Sequence, residues 1–343
     1  MGTNLIKVAL NNYLGQEVKA YTCEKEVLHG GTLGQVELLS GEATLFDGKK
    51  LPYKIVHKTQ KKWARFFDAD SWKREFDLHE SELGLSFEES MRWPQCYDQS
   101  ITEDEIQIYM EYIDGISGLD LSEKMLVQAA RELGRFQGKI FQQNSSPIKN
   151  ISNLSKNDFA KMNYLNYRNW PEVYDYIRAK DCPIPEHLCK MLIELDERCD
   201  ELWLKIEELP LVLCHRDFWV ANIFYQDEQI RVIDWDTTGW GYLGEDIASL
   251  IADESDVSKM ASYYKKCIPA YYQGFGESVD ISQIKDNLIW EMILFQFGYR
   301  LIEAYKFAQN TKEQEMQIEI LQQIFSMKSI EWQSNLEVRN QGK

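Results

Sequence analysis

The sequence lacks the features that mark secreted, membrane-spanning or disordered proteins. Its 343 residues include only 8 Pro and 19 Gly, and 44% are hydrophobic, which excludes collagen-like and disordered classes. No apolar run reaches the roughly 18 residues that a membrane-spanning helix needs. The segment from Met1 to Leu14 lacks the charged and apolar regions of a signal peptide. We therefore expect a globular cytoplasmic protein of one large or two medium domains.

The cysteines show neither a disulfide framework nor a zinc site. There are seven, an odd number, without a CxxC pair and without a His pair at zinc-site spacing. Such a set is typical of reduced thiols in the cytosol.

Positive charge is scarce. The chain has 38 Lys and Arg against 55 Asp and Glu, which gives a formal net charge of −17. Because an acidic surface repels polyanions, we expect neither nucleic acid nor an anionic membrane as a partner. Small or cationic ligands remain open, and the oligomeric state is not predicted.

The first third of the chain has a strand-like pattern. Short β-branched and aromatic runs alternate with turn residues, and Asp47-Gly48 predicts a hairpin. One helix interrupts the strands; it begins near Ser71 and ends before Gly84. A further strand is predicted over residues 106–112.

From about residue 114 the apolar period changes toward 3.6. The pattern predicts helices over 126–140 and 188–204, and helical patterning continues toward the end of the chain. Two short strands, over 222–225 and 230–233, interrupt it. The fold class is therefore α+β, with a small β-rich lobe and a larger mainly helical lobe.

The strongest chemical signal is a His-x-Asp-x4-Asn motif, formed by His215, Asp217 and Asn222. It is followed by Asp234 at the end of an apolar strand. Phosphoryl transfer uses such a set: one carboxylate orients the attacking hydroxyl, while an Asn oxygen and a second carboxylate hold Mg²⁺. Each residue alone is more often a turn former, but the four in this order are specific.

This pattern resembles the aminoglycoside phosphotransferase and choline kinase branch of the protein-kinase-like fold. That family has H-x-D-x4-N followed by D-[WFL]-[DE], which this chain carries as His215, Asp217, Asn222, Asp234 and Asp236. The resemblance implies that Asp217 is the catalytic base, that Asn222 and Asp234 bind magnesium, and that His215 is a structural brace. Three roles stay open for Asp236: metal binding through water, contact with a cationic substrate, or a solvated turn.

The resemblance also requires a nucleotide-binding lobe upstream, over residues 1–113, with the catalytic lobe over 114–343. Gly30, Gly31 and Gly34 match the glycine-rich loop, where backbone N–H groups approach phosphates. The sequence departs from the family pattern at His29, where a first glycine often stands.

A lysine at the end of an apolar strand should follow the loop. Lys58 fits best, and Lys54 on the same strand face is the alternative. Its expected partner is a helix glutamate, and Glu75 is preferred over Glu80 and Glu82. The pair would hold the lysine over the phosphates of the nucleotide.

Glu111 and Ile113 occupy the position of the hinge between lobes, where the family binds adenine through backbone groups. Loop, lysine, glutamate, hinge, catalytic loop and metal-binding Asp thus follow one another in the family's order. The resemblance implies a bilobal enzyme that transfers the γ-phosphate of ATP or GTP, with Mg²⁺, to a hydroxyl of a small molecule.

Two other functions remain as alternatives. His215-Arg216-Asp217 also resembles the H-R-D of protein kinases, but D-F-G and A-P-E are absent and the segment over 237–245 is short. The second alternative is a catalytically inactive nucleotide-binding protein.

The acceptor is not predicted by the motifs. Carboxylates and aromatic rings near the catalytic loop would suit an amine-bearing acceptor such as an aminoglycoside or a choline-like compound. The residues considered are Asp217, Asp236, Glu245, Asp246, Glu291, Trp219, Trp235, Trp240, Tyr242, Trp290 and Tyr299. Aromatic residues in helices are also common in cores, and Asp246 at a helix start could be a cap.

Overall fold

The structure is a computed structural model, and its architecture is divided into two compact units. It describes residues 5–28, 34–65, 68–151, 153–284 and 287–330. The first unit comprises Met1–Gly115, Pro147–Leu154 and Gln226–Thr237, and the second comprises Ile116–Ser146, Ser155–Tyr225 and Thr238–Lys343. The units therefore alternate along the chain, and the assignment of 1–113 and 114–343 to separate lobes stays a prediction.

The strands are short except for two long neighbours in the first unit. In chain order they are β1 (Val18–Tyr21), β2 (Glu24–Val27), β3 (Gly34–Leu45), β4 (Lys50–Lys61), β5 (Met91–Arg92), β6 (Cys96–Ile101), β7 (Glu105–Glu111), β8 (Ile116–Ser117), β9 (Leu211–Cys214), β10 (Ile223–Gln226), β11 (Gln229–Val232) and β12 (Gly239–Tyr242).

Most helices follow the last strand of the first unit's large sheet. In chain order the helices are α1 (Leu5–Leu14), α2 (Ser71–His79), α3 (Glu123–Gln142), α4 (Phe159–Arg168), α5 (Pro171–Tyr174), α6 (Glu186–Glu197), α7 (Cys199–Ile206), α8 (Glu245–Ala252), α9 (Met260–Phe275), α10 (Ile289–Ile293), α11 (Tyr299–Phe307) and α12 (Thr311–Met327). A π-helix, Leu294–Gly298, joins α10 to α11.

The first unit is built on an antiparallel sheet in the order β1-β3-β4-β7-β6, with β2 also paired to β3. The predicted hairpin is confirmed: β3 and β4 are joined over Asp47 and Gly48. Gly48 has a φ of 86°, which favours glycine at this turn.

Helix α1 covers one face of this sheet. Ala9 and Leu10 are fully buried in a core with Val18, Leu39 and Ile55. The prediction of a single helix in the first third was therefore incomplete. Helix α1 is only ten residues long and buries two of them, so its apolar periodicity is weak.

Helix α2 ends at His79, earlier than predicted. A 3-10 helix, Glu82–Ser86, follows it and contains Gly84. A Cβ at position 84 would lie 3.3 Å from the Trp93 ring. Near this helix, β11 pairs in parallel with β5 within the first unit.

The second unit is mainly helical, with small strand pairs around the loop that follows β9. Strand β9 pairs with β12, and β8 pairs with β10, both antiparallel. Ser122 caps α3, since its side chain accepts a hydrogen bond from the Met125 N–H.

Helices α3 and α9 approach closely because glycines line their contact. A Cβ on Gly134 would lie 2.1 Å from the carbonyl oxygen of Tyr271, and one on Gly274 would lie 2.0 Å from that of Arg131. Any larger residue would force the two backbones apart. Within the described parts of the chain, no helix combines the length and the apolar character needed to cross a bilayer.

Candidate active site

Lys58 on β4 lies between two carboxylates of the first unit. Its Nζ is 2.5 Å from Oε2 of Glu75 on α2 and 2.7 Å from Oδ1 of Asp234. The Lys58 and Glu75 side chains are 12% and 4% exposed, so this ion pair is largely desolvated, whereas Asp234 is 39% exposed. Lys54 is instead exposed, with its ammonium 5.4 Å from the centre of the Tyr112 ring. The structure thus brings Lys58, Glu75 and Asp234 together and leaves Lys54 outside.

The charges of this cluster do not balance. Burial lowers the pKa of Lys58, but the carboxylates of Asp234, Glu75 and Asp236 outweigh that effect and the net shift is upward. Arg65 adds a second cation, 3.6 Å from Asp236. Burial and the neighbouring Asp234 raise the pKa of Asp236 to about 6. Three carboxylates against two cations leave a site that would favour a further cation.

The backbone at Asp234 is in the left-handed region, with a φ of 65°. For a non-glycine residue this conformation is unfavourable and needs support from its surroundings. Trp235 supplies part of it, because the ring is 1% exposed and its Nε1–H donates to the Val232 carbonyl at 2.8 Å.

Arg74 supports the same segment from α2. Its guanidinium is fully buried, forms a bidentate ion pair with Asp68 at 2.5 and 2.8 Å, and donates to the carbonyl oxygens of Asn153 and Asp236. Sequence reasoning missed Arg74, since it carries no motif of its own. It ties the helix that holds Glu75 to the Asp234–Asp236 segment within this unit.

Of the three glycines predicted to bind phosphate, the structure describes one. Gly30 and Gly31 lie outside the described residues. Gly34 begins β3 opposite Gln60, and a Cβ on it would lie 2.6 Å from the carbonyl oxygen of Thr59. This close strand contact is by itself a reason for glycine at position 34.

Glu111 at the end of β7 is held by its own neighbours. Its carboxylate accepts two hydrogen bonds from Arg92 at 2.6 and 2.9 Å, and its N–H donates to the Gln95 carbonyl at 2.9 Å. Burial would raise the pKa of Glu111, but Arg92 brings it below the usual value. Because its carboxylate and its N–H are already hydrogen-bonded, Glu111 would contact adenine through its carbonyl oxygen. Ile113, two residues on, is buried.

The His-x-Asp-x4-Asn residues come together in the second unit. Asn222 Nδ2 donates to Oδ2 of Asp217 at 2.8 Å and to the Asp217 carbonyl at 3.0 Å. The Asp217 N–H donates to Nδ1 of His215 at 3.2 Å, and His215 is 1% exposed. This geometry suits a structural role for the buried His215. Asp217 is only half-buried, so its carboxylate can reach a ligand.

Asp246, at the start of α8, holds the backbone of this loop. Its carboxylate accepts the N–H groups of His215 at 2.8 Å and Arg216 at 2.7 Å. Arg216 has a φ of 68°, so the two bonds stabilise an otherwise unfavourable loop conformation. Burial raises the pKa of Asp246 to about 6, against the opposing effect of these N–H groups.

The terminal nitrogens of the Arg216 side chain donate hydrogen bonds inside the unit. It donates to Ser155 Oγ and to the Lys156 carbonyl, each at 2.7 Å, and to the Trp240 carbonyl. Glu245 lies 3.9 Å away and is also buried. Burial raises the pKa of Glu245 to about 7, although Arg216 opposes this shift.

Several residues considered for acceptor binding have other roles. The carboxylates of Glu245 and Asp246 are buried and accept backbone N–H groups, so neither suits an amine. Trp235, Trp290 and Tyr299 are core residues, at 1%, 7% and 1% exposure. Trp219 and Trp240 are half-buried and remain candidates.

Comparison with known proteins assigns this site to a family. A family model described as the phosphotransferase enzyme family, APH, matches residues 82–273, more than half of the chain. The chain belongs to this phosphotransferase family. The matched range contains Asp217, Asn222 and Asp234, while Lys58 and Glu75 precede it.

The individual relatives of this chain are distant. Ethanolamine kinase 1 of Mus musculus is 29% identical over 95 residues, which cover 23% of this chain and only 26% of that protein. The choline kinase of Cryptosporidium parvum Iowa II is 19% identical over 89% of each chain, with a TM-score of 0.53. An amicoumacin kinase, solved in complex with AMP-PNP, Ca²⁺ and Ami, is 14% identical over 88% of each chain, with a TM-score of 0.53.

These findings confirm two predictions. The family match confirms the membership that the motif indicated. The solved structures confirm the protein-kinase-like α+β fold, with a β-rich N-terminal part and a mainly helical remainder. The roles of individual site residues stay predictions.

Proposed function

We propose that this protein transfers the γ-phosphoryl group of ATP or GTP to a hydroxyl group of a small molecule. The observation that carries the proposal is the buried Lys58, held between Glu75 and Asp234. A cation fixed in this way is suited to binding nucleotide phosphates, and it is the arrangement that phosphotransferases of the kinase type require.

The metal would be Mg²⁺, and the sequence motif makes Asn222 and Asp234 its candidate ligands. Asn222 turns its amide nitrogen toward Asp217, so its carbonyl oxygen is the atom suited to a metal. Asp234 is the most exposed carboxylate of its cluster, at 39%, and that cluster carries excess negative charge. When bound, Mg²⁺ would neutralise phosphate charge, and it would lower the pKa of Asp236.

Asp217 would orient the acceptor hydroxyl and accept its proton. The hydrogen bond from Asn222 holds this carboxylate before substrate binds, and the bond from the Asp217 N–H to His215 holds its backbone. Catalysis would then rest on positioning and charge neutralisation, because phosphoryl transfer of this type leaves the protein little covalent chemistry to perform.

The acceptor would be an amine-bearing alcohol. The net charge of −17 and the half-buried Trp219 and Trp240 support a cationic acceptor. The names of the relatives, an ethanolamine kinase and a choline kinase, point to the same class. We place the protein in the cytoplasm, where its seven cysteine thiols would stay reduced.

The second unit argues against a protein kinase. The segment after Thr237 forms β12, Gly239–Tyr242, which pairs with β9, and α8 begins at Glu245. This leaves no segment on which a peptide could dock before α8.

An acceptor screen tests the proposal. Purified protein would be incubated with MgATP or MgGTP and matched sets of amino alcohols, aminoglycosides, neutral sugars, nucleosides and peptides. We expect nucleotide consumption that depends on an amine-bearing alcohol, with phosphate found on its hydroxyl. Turnover with neutral sugars alone would overturn the acceptor class, and turnover with peptides alone would overturn the small-molecule assignment.

A further inference from the structure

A chain of buried hydrogen bonds reaches the catalytic loop from the helical core of the second unit. The Tyr271 hydroxyl on α9 donates to Oε1 of Gln137 on α3. Gln137 Nε2 in turn donates to Oδ2 of Asp246 at 2.9 Å and to the Leu213 carbonyl at 3.1 Å. Gln137 and Tyr271 are fully buried, and Asp246 is 1% exposed.

We propose that Gln137 is a positioning residue for the catalytic loop. It orients the Asp246 carboxylate, which holds the N–H groups of His215 and Arg216 immediately before Asp217. The inference rests on the proposed function, because it assigns a role within the same site.

The chemistry of an amide explains why glutamine stands at this position. A buried carboxylate needs several donors, and Gln137 supplies one that the loop backbone cannot. The Tyr271 hydroxyl donates a hydrogen bond to the amide oxygen, and this orients the amide nitrogen toward Asp246. With the opposite orientation, the amide oxygen would face both the Asp246 carboxylate and the Leu213 carbonyl, and neither acceptor would receive a hydrogen bond from Gln137.

Glycines fix the place of Gln137 between the two helices. Gly134 and Gly138 flank it on α3, and a Cβ on either would lie 2.1 or 2.8 Å from a carbonyl oxygen of α9, at Tyr271 and Phe275 respectively. The backbones therefore meet at this point. The close contact between the two helices therefore fixes the position from which the Gln137 side chain extends.

Among the described residues, few titratable or charged groups face the Asp246 carboxylate. Cys214 and Tyr271 have pKa values raised by burial, so both stay neutral, and Arg216 is the nearby cation. Glu245 on the same helix is a second acid, with a pKa raised by burial to about 7. Gln137 lowers the pKa of Asp246, so loss of its donor would raise that pKa and favour the protonated form, which accepts the loop N–H groups less well.

The test compares three variants of the full chain. Gln137→Leu removes the amide, Tyr271→Phe removes one oxygen that orients it, and Gln142→Leu makes the same change at an exposed position of α3. We would measure kcat and nucleotide KM across pH, and amide hydrogen exchange at residues 215–217.

For Gln137→Leu we expect kcat near pH 7 to fall about tenfold, the acid limb of the kcat profile to move to higher pH, and nucleotide KM to change by less than about twofold. Exchange of the loop amides should quicken by roughly tenfold. Tyr271→Phe should shift all readouts in the same direction by less, and Gln142→Leu should match wild type.

The inference is overturned if folded Gln137→Leu keeps the wild-type pH profile and loop exchange. If Gln137→Leu does not fold, the Tyr271→Phe variant decides. A kcat pH profile and loop amide exchange identical to those of wild type would then reject the positioning role of Gln137. Absence of phosphotransfer by wild type would instead reject the proposed function, and the exchange measurement would still decide the role of Gln137.

Discussion

Lys58 shows how burial gives a strand residue its place in the site. Lys54 and Lys58 share one face of β4, so sequence period alone could not separate them. In the structure Lys58 lies between Glu75 and Asp234, whereas Lys54 stands over the Tyr112 ring. Which lysine meets the helix depends on how α2 lies on the sheet, which is a tertiary property.

A substitution of Glu75 tests this arrangement. Glu75→Gln removes one of the two carboxylates that hold Lys58, so we expect the Kd for MgAMP-PNP to rise about tenfold. Calorimetric titration measures it. Glu80→Gln, on the exposed side just after α2, is the matched control and should leave Kd unchanged. Equal affinities of Glu75→Gln and wild type would show that the pair does not serve nucleotide binding.

Asp236 illustrates what residue patterns leave open. Of its three predicted roles, a solvated turn does not fit, because the side chain is 8% exposed and lies 3.6 Å from Arg65. Metal contact through water and substrate contact both stay open. The deciding factor, burial next to Asp234, cannot be deduced from the D-x-D motif.

At the scale of elements, the contact between α3 and α9 holds the second unit together beside the catalytic loop. A Cβ on Gly134 would lie 2.1 Å from the Tyr271 carbonyl oxygen and 2.8 Å from the Phe275 nitrogen. Gly134→Ala therefore forces two backbones apart, and the roughly 1 kcal/mol gain in helix propensity cannot offset this.

We expect Gly134→Ala to lower the free energy of unfolding by on the order of 2 kcal/mol. Urea denaturation followed by circular dichroism measures the change. Gln142→Ala, at an exposed position of the same helix, should leave stability within about 0.5 kcal/mol of wild type. A Gly134→Ala variant as stable as wild type would contradict the close packing.

Elements with strong local signals could be predicted, and those that depend on tertiary contacts could not. The Asp47-Gly48 hairpin and the apolar face of α3 were read correctly from turn chemistry and period. Helix α1 was missed, and α2 ends before the predicted Gly84 stop. The role of Asp246 was hidden for the same reason: its N–H partners lie about 30 residues away in sequence.

At the scale of the whole molecule, buried acids couple stability to pH. The folded-state pKa of Glu245 is raised to about 7, from 4.5. A group with a raised pKa contributes stability that is present below the unfolded value and is lost as pH rises through the folded one. Glu245 should therefore cost stability progressively between about pH 4.5 and pH 7.

Glu245→Gln removes this dependence. Between pH 5 and pH 8 we expect wild type to lose on the order of 2 kcal/mol more stability than the variant does. Urea unfolding of both proteins at the two pH values measures the difference. Glu315→Gln, at an exposed position of α12, controls for loss of one charge. A pH dependence identical in Glu245→Gln and wild type would contradict the buried, raised carboxylate.

The net charge of −17 also acquires a more specific meaning. Part of it lies in carboxylates that hold the structure or the site, such as Asp217, Asp234 and Asp246. Binding of an anionic nucleotide by an acidic protein is consistent with this distribution, because Lys58 and a bound Mg²⁺ would supply local positive charge.

The central claim is that Asp217 activates an acceptor hydroxyl for phosphoryl transfer, and one comparison tests it most directly. Wild type and Asp217→Asn would be assayed with MgATP and the best acceptor, alongside calorimetric titration with MgAMP-PNP. We predict that kcat falls by at least about 10³-fold in the variant while nucleotide affinity changes by less than about threefold. Near-normal turnover by Asp217→Asn, with phosphate on the same acceptor hydroxyl, would contradict the account.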